Sequence, residues 1–175
     1  MADEQTLPLP AQTNGFHPDM DDEELLTELS SDTIQPSYGY VKLKFTQGDK
    51  EIYKRLKVQT CDVVDVVQLV TNRLPKATRQ HILAETKGAR SQGYTDDNWL
   101  QSLALCCQGL CPPVVITDPV THEVVWRAGG EPQDLPAAMI ALCRLGFTFW
   151  HIEDIVNRIG SLTRIQQDAQ SQGNS

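Results

Sequence analysis

The sequence predicts an α+β fold: a single compact domain of antiparallel β-hairpins packed with about five helices, led by a disordered acidic N-terminal arm. Three observations carry this. Strand-like and helix-like stretches follow one another as hairpin, helices, hairpin, helices, an order that suits an antiparallel sheet. At 175 residues, the chain has room for one domain with tails. The formal charge of −8 is unevenly spread: residues 1–33 hold nine acids and no Lys or Arg, which leaves 14 acids against 15 bases in the remainder. The division expected is an acidic arm at 1–37, a domain at 38–165 and a flexible polar tail at 166–175.

The arm contains Pro8, Pro10, Pro18 and Pro36, Gly15 and few large apolar residues. Such a segment buries too little to offset its ordering entropy, so disorder is expected. One stretch stands apart. In "DMDDEELLTELSSD", residues 19–32, Asp21, Asp22, Glu23 and Glu24 run into Leu25, Leu26 and Leu29. In a helix Leu25 and Leu29 share a face with Leu26. That is the pattern of a segment that folds on a partner, and it also fits a short acidic dileucine motif.

The body opens with "YVKLKF", in which Val41, Leu43 and Phe45 alternate with Lys42 and Lys44, the period of a half-buried strand. Gly48-Asp49 suits a turn tip. The return strand places Ile52, Leu56 and Val58 on one face and Tyr53, Arg55 and Lys57 on the other, with Lys54 breaking the pattern as at a bulge or an edge. The hairpin 40–59 carries six bases and two acids, and its outer face gathers Lys42, Lys44, Arg55 and Lys57.

"TCDVVDVVQLVTNRLP" is rich in valine, yet Val63, Val66, Val67, Val70 and Leu74 recur at helical spacing. Thr60 is placed to cap, Asp62 suits the positive N-terminal end and Pro75 stops the run, which predicts a helix. "ATRQHILAETKG" forms a second helix ended by Gly88. Asp96 or Asp97 caps "NWLQSLALCCQG", whose Trp99, Leu103 and Cys107, beside Leu100 and Ala104, make a core stripe. "VVIT", "DPVTH" and "EVVWRA" read as strand, turn and strand, closed by Gly129-Gly130. Asp134 caps "LPAAMIALCRL", which tolerates Pro136 in its first turn and ends at Gly146. A last helix runs through "TFWHIEDIVNRIGSLTRI", with Phe149, Ile152, Val156 and Ile159 as its buried stripe.

Catalytic constellations are not evident. Cys61, Cys106, Cys107, Cys111 and Cys143 are an odd number without a CxxC, as expected of free thiols in a reducing compartment. A metal site from Cys107, Cys111 and a distant His lacks the two-pair spacing of zinc sites, so no metal and no cofactor are expected. Gly88 and Gly93 flank a loop without the Gly-Lys-Ser/Thr of a phosphate loop. Asp96-Asp97 reads as helix-start chemistry. His122 falls in a hairpin turn, and His151 on the exposed flank of the last helix. Neither a secretory leader nor a run of about 18 apolar residues is present, so a cytoplasmic protein without a transmembrane segment is expected. The chain reads as a non-enzyme.

The cationic ribbon is the functional candidate, a surface for phosphates of lipid or nucleic acid, or for an acidic peptide. Only Tyr38, Tyr40 and Tyr53 accompany its bases, which argues against sequence-specific nucleic-acid recognition. The arm offers the complementary charge. The segment from Asp21 to Leu29 is expected to dock on a basic and apolar groove of its own molecule or of a neighbour. Docking between molecules gives an open, repeating homo-oligomer.

The opening "YVKLKFTQ", followed by "EIYKRLKVQTCDVVDVVQLV", resembles two families. One is the ubiquitin-like and Ras-association modules, with strand, turn, strand and a helix started by a Thr-x-Asp cap. The other is the rhabdovirus matrix proteins, and in overall plan the plant cytorhabdovirus type: a proline-bearing arm, a strand with a Phe45-Thr46 step and a helix opening Asp62-Val63-Val64. The second resemblance implies a self-associating virion protein. It would condense a viral nucleocapsid and contact the inner face of an anionic membrane during assembly and budding. The first implies an adaptor that recognises a protein partner through the hairpin. The acidic arm departs from the basic arms of animal-virus matrix proteins, and "LPLP" stands where a PPxY or PTAP motif would serve budding. Membrane contact in a matrix-type role would therefore fall to the Lys42–Lys57 ribbon.

Overall fold

Residues 38–173 are described by a computed structural model, and of these residues 38–170 form one compact unit. The acidic arm lies outside the described residues. Two strands, β1 (Tyr38–Gln47) and β2 (Lys50–Gln59), pair antiparallel. They are joined at Gly48-Asp49, where Gly48 takes φ +64°, a conformation that costs glycine little. Then come α1 (Val63–Gln68), α2 (Lys76–Glu85), α3 (Asp96–Gln108), a short hairpin of β3 (Val115–Thr117) and β4 (Val124–Arg127), α4 (Leu135–Arg144) and α5 (Phe149–Gly173). This is the expected α+β arrangement, with two separate two-stranded sheets and five α-helices among the described residues.

The core gathers the inner face of the first hairpin, Val41, Leu43 and Val58, with α3 residues Trp99, Leu100, Leu103 and Cys107. Met139 of α4 and Ile152, Ile155 and Ile159 of α5 complete it. Burying each such aliphatic side chain contributes about 1.5–3 kcal/mol. One contact sets the spacing of α5 from the end of α3. A Cβ at Gly109 would run into Ile159 Cδ1, so only glycine lets the two approach this closely.

Several local expectations are corrected. Of the two readings of Lys54, the bulge is corrected and the edge stands: the β1–β2 register is continuous, with Lys54 opposite Leu43, and β2 is an edge of a two-stranded sheet. Asp62, not Thr60, caps α1, its carboxylate accepting from the N–H groups of Val64 and Asp65. Thr95, not Asp96 or Asp97, caps α3 by accepting from Asn98 N–H. Val63 is exposed, while Val66 and Val70 are buried. Val67 and Leu74 are half-buried, so the expected stripe holds apart from Val63 at the helix start, and it runs on through a π-helical turn, Leu69–Arg73, closed by Leu74 N–H donating to Leu69 O. α2 ends at Glu85, before Gly88. On α5 the buried stripe is Ile152, Ile155, Ile159 and Leu162, with Phe149 and Val156 at its margins. This helix continues to Gly173, past position 165, where the sequence reading ended it.

The second hairpin is held by Asp118, which is 4% exposed. Its carboxylate accepts from Val120 N–H (2.7 Å), Thr121 N–H (3.3 Å) and Arg144 Nη1 of α4 (2.7 Å). Arg144 Nη2 donates in turn to Glu85 of α2. The Val120 amide most of all, with the Thr121 amide and Arg144, holds the Asp118 carboxyl below its ordinary value against the opposing effect of burial.

Candidate functional site

Alternation along two straight strands decides which side chains face out. On β1, Gly39, Val41 and Leu43 turn inward and are buried, while Tyr38, Tyr40, Lys42 and Lys44 turn outward and are exposed. On β2 the outward set is Glu51, Tyr53, Arg55 and Lys57. Directly opposed pairs are Tyr40 with Lys57, Lys42 with Arg55, and Lys44 with Tyr53. Lys42, Lys44, Arg55 and Lys57 thus lie together on one face of a ribbon ten residues long, about 33 Å.

The tyrosines are interleaved with these cations along the diagonals of the register. Lys57 Nζ lies 4.5 Å from the Tyr38 ring centre, Arg55 Cζ 3.9 Å from that of Tyr40, and Lys42 Nζ 4.5 Å from that of Tyr53. Each contact is a cation–π pair between diagonal cross-strand neighbours. The rings stay about half exposed: 49%, 49% and 53% for Tyr38, Tyr40 and Tyr53. Sequence reasoning missed this platform because it counted bases and aromatics separately. The signal was present in the shared outward parity of positions 38, 40, 42 and 44 and of 53, 55 and 57.

Glu51 is the one acid on this face. It pairs with Lys44 and accepts from the Tyr53 hydroxyl at 3.3 Å. The hydrogen bond between them raises the Lys44 ammonium above its ordinary value and lowers the Glu51 carboxyl. Lys42, Arg55 and Lys57 are left with aromatic rather than acidic partners.

Both ends of the ribbon are clamped to the body. Gln59 N–H donates to Gly109 O, and Cys111 N–H donates to Lys57 O. Near the other end is His151, expected on an exposed flank and found half-buried. It stacks on Phe45, ring centres 4.3 Å apart. Thr148 N–H donates to its Nδ1, which fixes the tautomer, so Nε2–H donates to Lys44 O. His122 takes φ +63° in the turn of the second hairpin, as its position predicts.

A groove of about 800 Å³ opens beside the first hairpin's turn, between Phe45, Ile52 and Lys54 on one side and Leu145, Phe147 and Trp150 on the other. A second cavity, about 500 Å³, lies between Leu69, Leu74 and Trp126 and the start of α4.

Comparisons with protein families, with characterised proteins and with solved structures find no match.

The remaining candidates divide simply. Asp21, Asp22, Glu23, Glu24, Leu25, Leu26 and Leu29 lie outside the described residues. All five cysteines are free, and Cys106, Cys107 and Cys111 are buried. Desolvation pushes their thiols up, Cys61 to about 11 and Cys143 to about 12, so little thiolate exists at neutral pH. Among the described residues no cluster of three His, Cys, Asp or Glu side chains could hold a metal ion. Among the same residues no helix is long and apolar enough to cross a membrane.

Proposed function

We propose that the chain is a non-enzymatic, self-associating structural protein of the matrix type. In this reading the outer face of its first hairpin lies on the headgroups of an anionic membrane, and the assembled protein links that membrane to a viral nucleocapsid. The observation that carries the membrane contact is the interleaving of Tyr38, Tyr40 and Tyr53 with Lys42, Arg55 and Lys57 on one outward face. Tyrosine is an amphipathic ring suited to the depth of lipid headgroups, and lysine and arginine stems extend to phosphate level. The register is straight, and neither cavity is lined by these six residues, so the face suits an extended surface rather than a threaded strand. Lys42, Arg55 and Lys57 are each held against a ring, which limits the entropy lost on contact. Burial of the thiols and the turn and clamp roles of His122 and His151 favour the non-enzymatic reading.

A cation near an anionic leaflet contributes about 1 kcal/mol. The K42Q/K57Q variant removes two, so partitioning onto phosphatidylserine vesicles should fall about 30-fold, or about 2 kcal/mol, with the fold unchanged. Binding should also fall as the Debye length shrinks from about 10 Å at 0.1 M salt to about 3 Å at 1 M. Vesicle flotation checks both. Equal binding to phosphatidylcholine and phosphatidylserine vesicles, or a K42Q/K57Q variant that binds like the parent, refutes the membrane contact. A gel shift with homopolymer RNA, in the absence of vesicle binding, replaces it with a nucleic-acid reading.

A further inference from the structure

We infer that the free edge of β1 docks on the same edge of a second copy of the chain. The two strands run antiparallel about a two-fold axis at Tyr40 and join the hairpins into one four-stranded sheet. The inference rests on the self-association in the matrix-type reading and names its interface.

The hairpin register shows which main-chain groups are free. Cys111 N–H donates to Lys57 O, Gln59 N–H donates to Gly109 O, and His151 holds Lys44 O. The opposed pairs Tyr40–Lys57, Tyr38–Gln59 and Lys44–Tyr53 therefore direct their main-chain groups away from the hairpin's own ladder. By alternation Lys42–Arg55 is a pair of the same kind. The N–H and C=O groups of Tyr38, Tyr40 and Lys42 thus point out along the open side of β1. Among the described residues no backbone group of another element bonds to them, and the sheet has only two strands. The stretch is regular and free of proline, so it is a template for a further strand. On β2 the open side is closed from Lys57 onward by segment 109–111. A second β2 paired about Tyr53 would bring its turn onto that segment, which leaves β1 as the edge with room.

The occupant is a second copy because the edge complements itself. With Tyr40 opposite Tyr40 of the other copy, Tyr38 of each stands opposite Lys42 of the other, and every such pair can exchange two main-chain hydrogen bonds. Ring then meets ring or cation, and no lysine faces a lysine. On the inner face Gly39 stands opposite Val41 of the other copy, a small residue beside a branched one. Sliding the pairing toward the turn spoils this. The next register in phase needs Lys44 O, which His151 already holds, and the one after sets Lys42 against Lys42. The contact is isologous, so it closes as a dimer. It also lays Lys42, Arg55 and Lys57 of both copies on one continuous outward face, which joins two lipid contacts in one particle.

The test uses the full chain and the one residue that meets itself at the axis. Tyr40 is 49% exposed, so substitution there spares the core. Y40K and Y40E each set like charges together, whereas a mixture of the two sets opposite charges together. Light scattering across concentration should show the parent reaching a dimer and growing no further. Each variant alone should dimerise about tenfold more weakly, and the equimolar mixture should regain the parent's affinity as a heterodimer. The inference is overturned by a monomeric parent, by a mass that keeps rising past the dimer, by either variant dimerising like the parent, or by a mixture no tighter than its components. R55Q/K57Q changes only β2, away from the paired edge. It should lose vesicle flotation and stay dimeric, so failure of the lipid contact leaves the pairing in place. A parent that floats on vesicles yet is monomeric in solution overturns the pairing alone.

Discussion

The core contains one polar relay whose removal has a calculable cost. Thr86, 1% exposed, donates its hydroxyl to Ile82 O at 2.8 Å and accepts from Trp99 Nε1 at 2.8 Å. Thr86→Val replaces the hydroxyl with a methyl of nearly the same volume, so no cavity opens. Ile82 O keeps a partner, because the Thr86 backbone N–H also donates to it at 2.9 Å. The loss therefore falls on Trp99, which is fully buried and left with an unpartnered indole N–H. Leaving such a donor unsatisfied costs about 1–3 kcal/mol. With a urea dependence of about 2 kcal/mol per molar, the unfolding midpoint should fall by about 1 M. Thr86→Ser keeps the oxygen, loses one methyl and should cost about 0.8 kcal/mol. A cycle with Trp99→Phe isolates the pair, and a coupling of about 1–2 kcal/mol is expected. If T86V and T86S unfold at the same urea concentration, or the cycle gives no coupling, the relay does not stabilise the core.

Two further outcomes follow from named contacts. Gly109→Ala places a Cβ against Ile159 Cδ1 and should lower stability by about 1–3 kcal/mol, read as a drop in Tm. The added I159V change removes Cδ1 and should restore part of that loss, and a G109A variant with the parent's Tm would refute the close approach. Asp118 is held below its ordinary carboxylate value, near 3.8, so its contribution is present above the unfolded value and disappears as pH falls through the lower folded one. D118N should therefore be less stable than the parent at pH 6, with the gap closing below about pH 4 in denaturant titrations. A gap that stays constant with pH would show that the side chain acts without its charge.

How much of this was legible depended on whether the pattern was local. The first hairpin was readable because period-two alternation of Val41, Leu43 and Phe45 with lysines fixes both the strand and its faces. Its turn was readable because Gly48-Asp49 suits a tight reversal. The diagonal cation–π contacts were not readable, since they depend on pairing Tyr40 with Lys57 rather than with a neighbour one step away. The first helix and its buried face were both recognisable from valine spacing, Val63 alone being exposed at the helix start, but the π turn at Leu69–Arg73 was not, since no residue type announces it. The end of α5 was hidden for a different reason. Beyond position 165 the chain is polar and resembles a tail, yet Gln and Ala are good helix formers and no proline intervenes before Gly173. The groove joins the hairpin turn to the α4–α5 junction, a long-range contact that no local period announces.

Register links these findings. Lys54 and Arg55 are adjacent, yet one reaches the groove and the other the outer face, because side chains alternate along β2. A slip of one residue would turn Tyr53, Arg55 and Lys57 toward the core and expose Ile52, Leu56 and Val58. Burial of Leu43 and Val58 opposes that slip, and so do the fixed contacts at either end: Gly48 in its turn, His151 on Lys44 O and Cys111 on Lys57 O. Two of those contacts use the backbone carbonyls of Lys44 and Lys57, whose side chains belong to the outward face. The body therefore sets the orientation of the cationic face through the main chain and not through the side chains of Lys44 and Lys57, which are engaged within the ribbon by Glu51 and Tyr38.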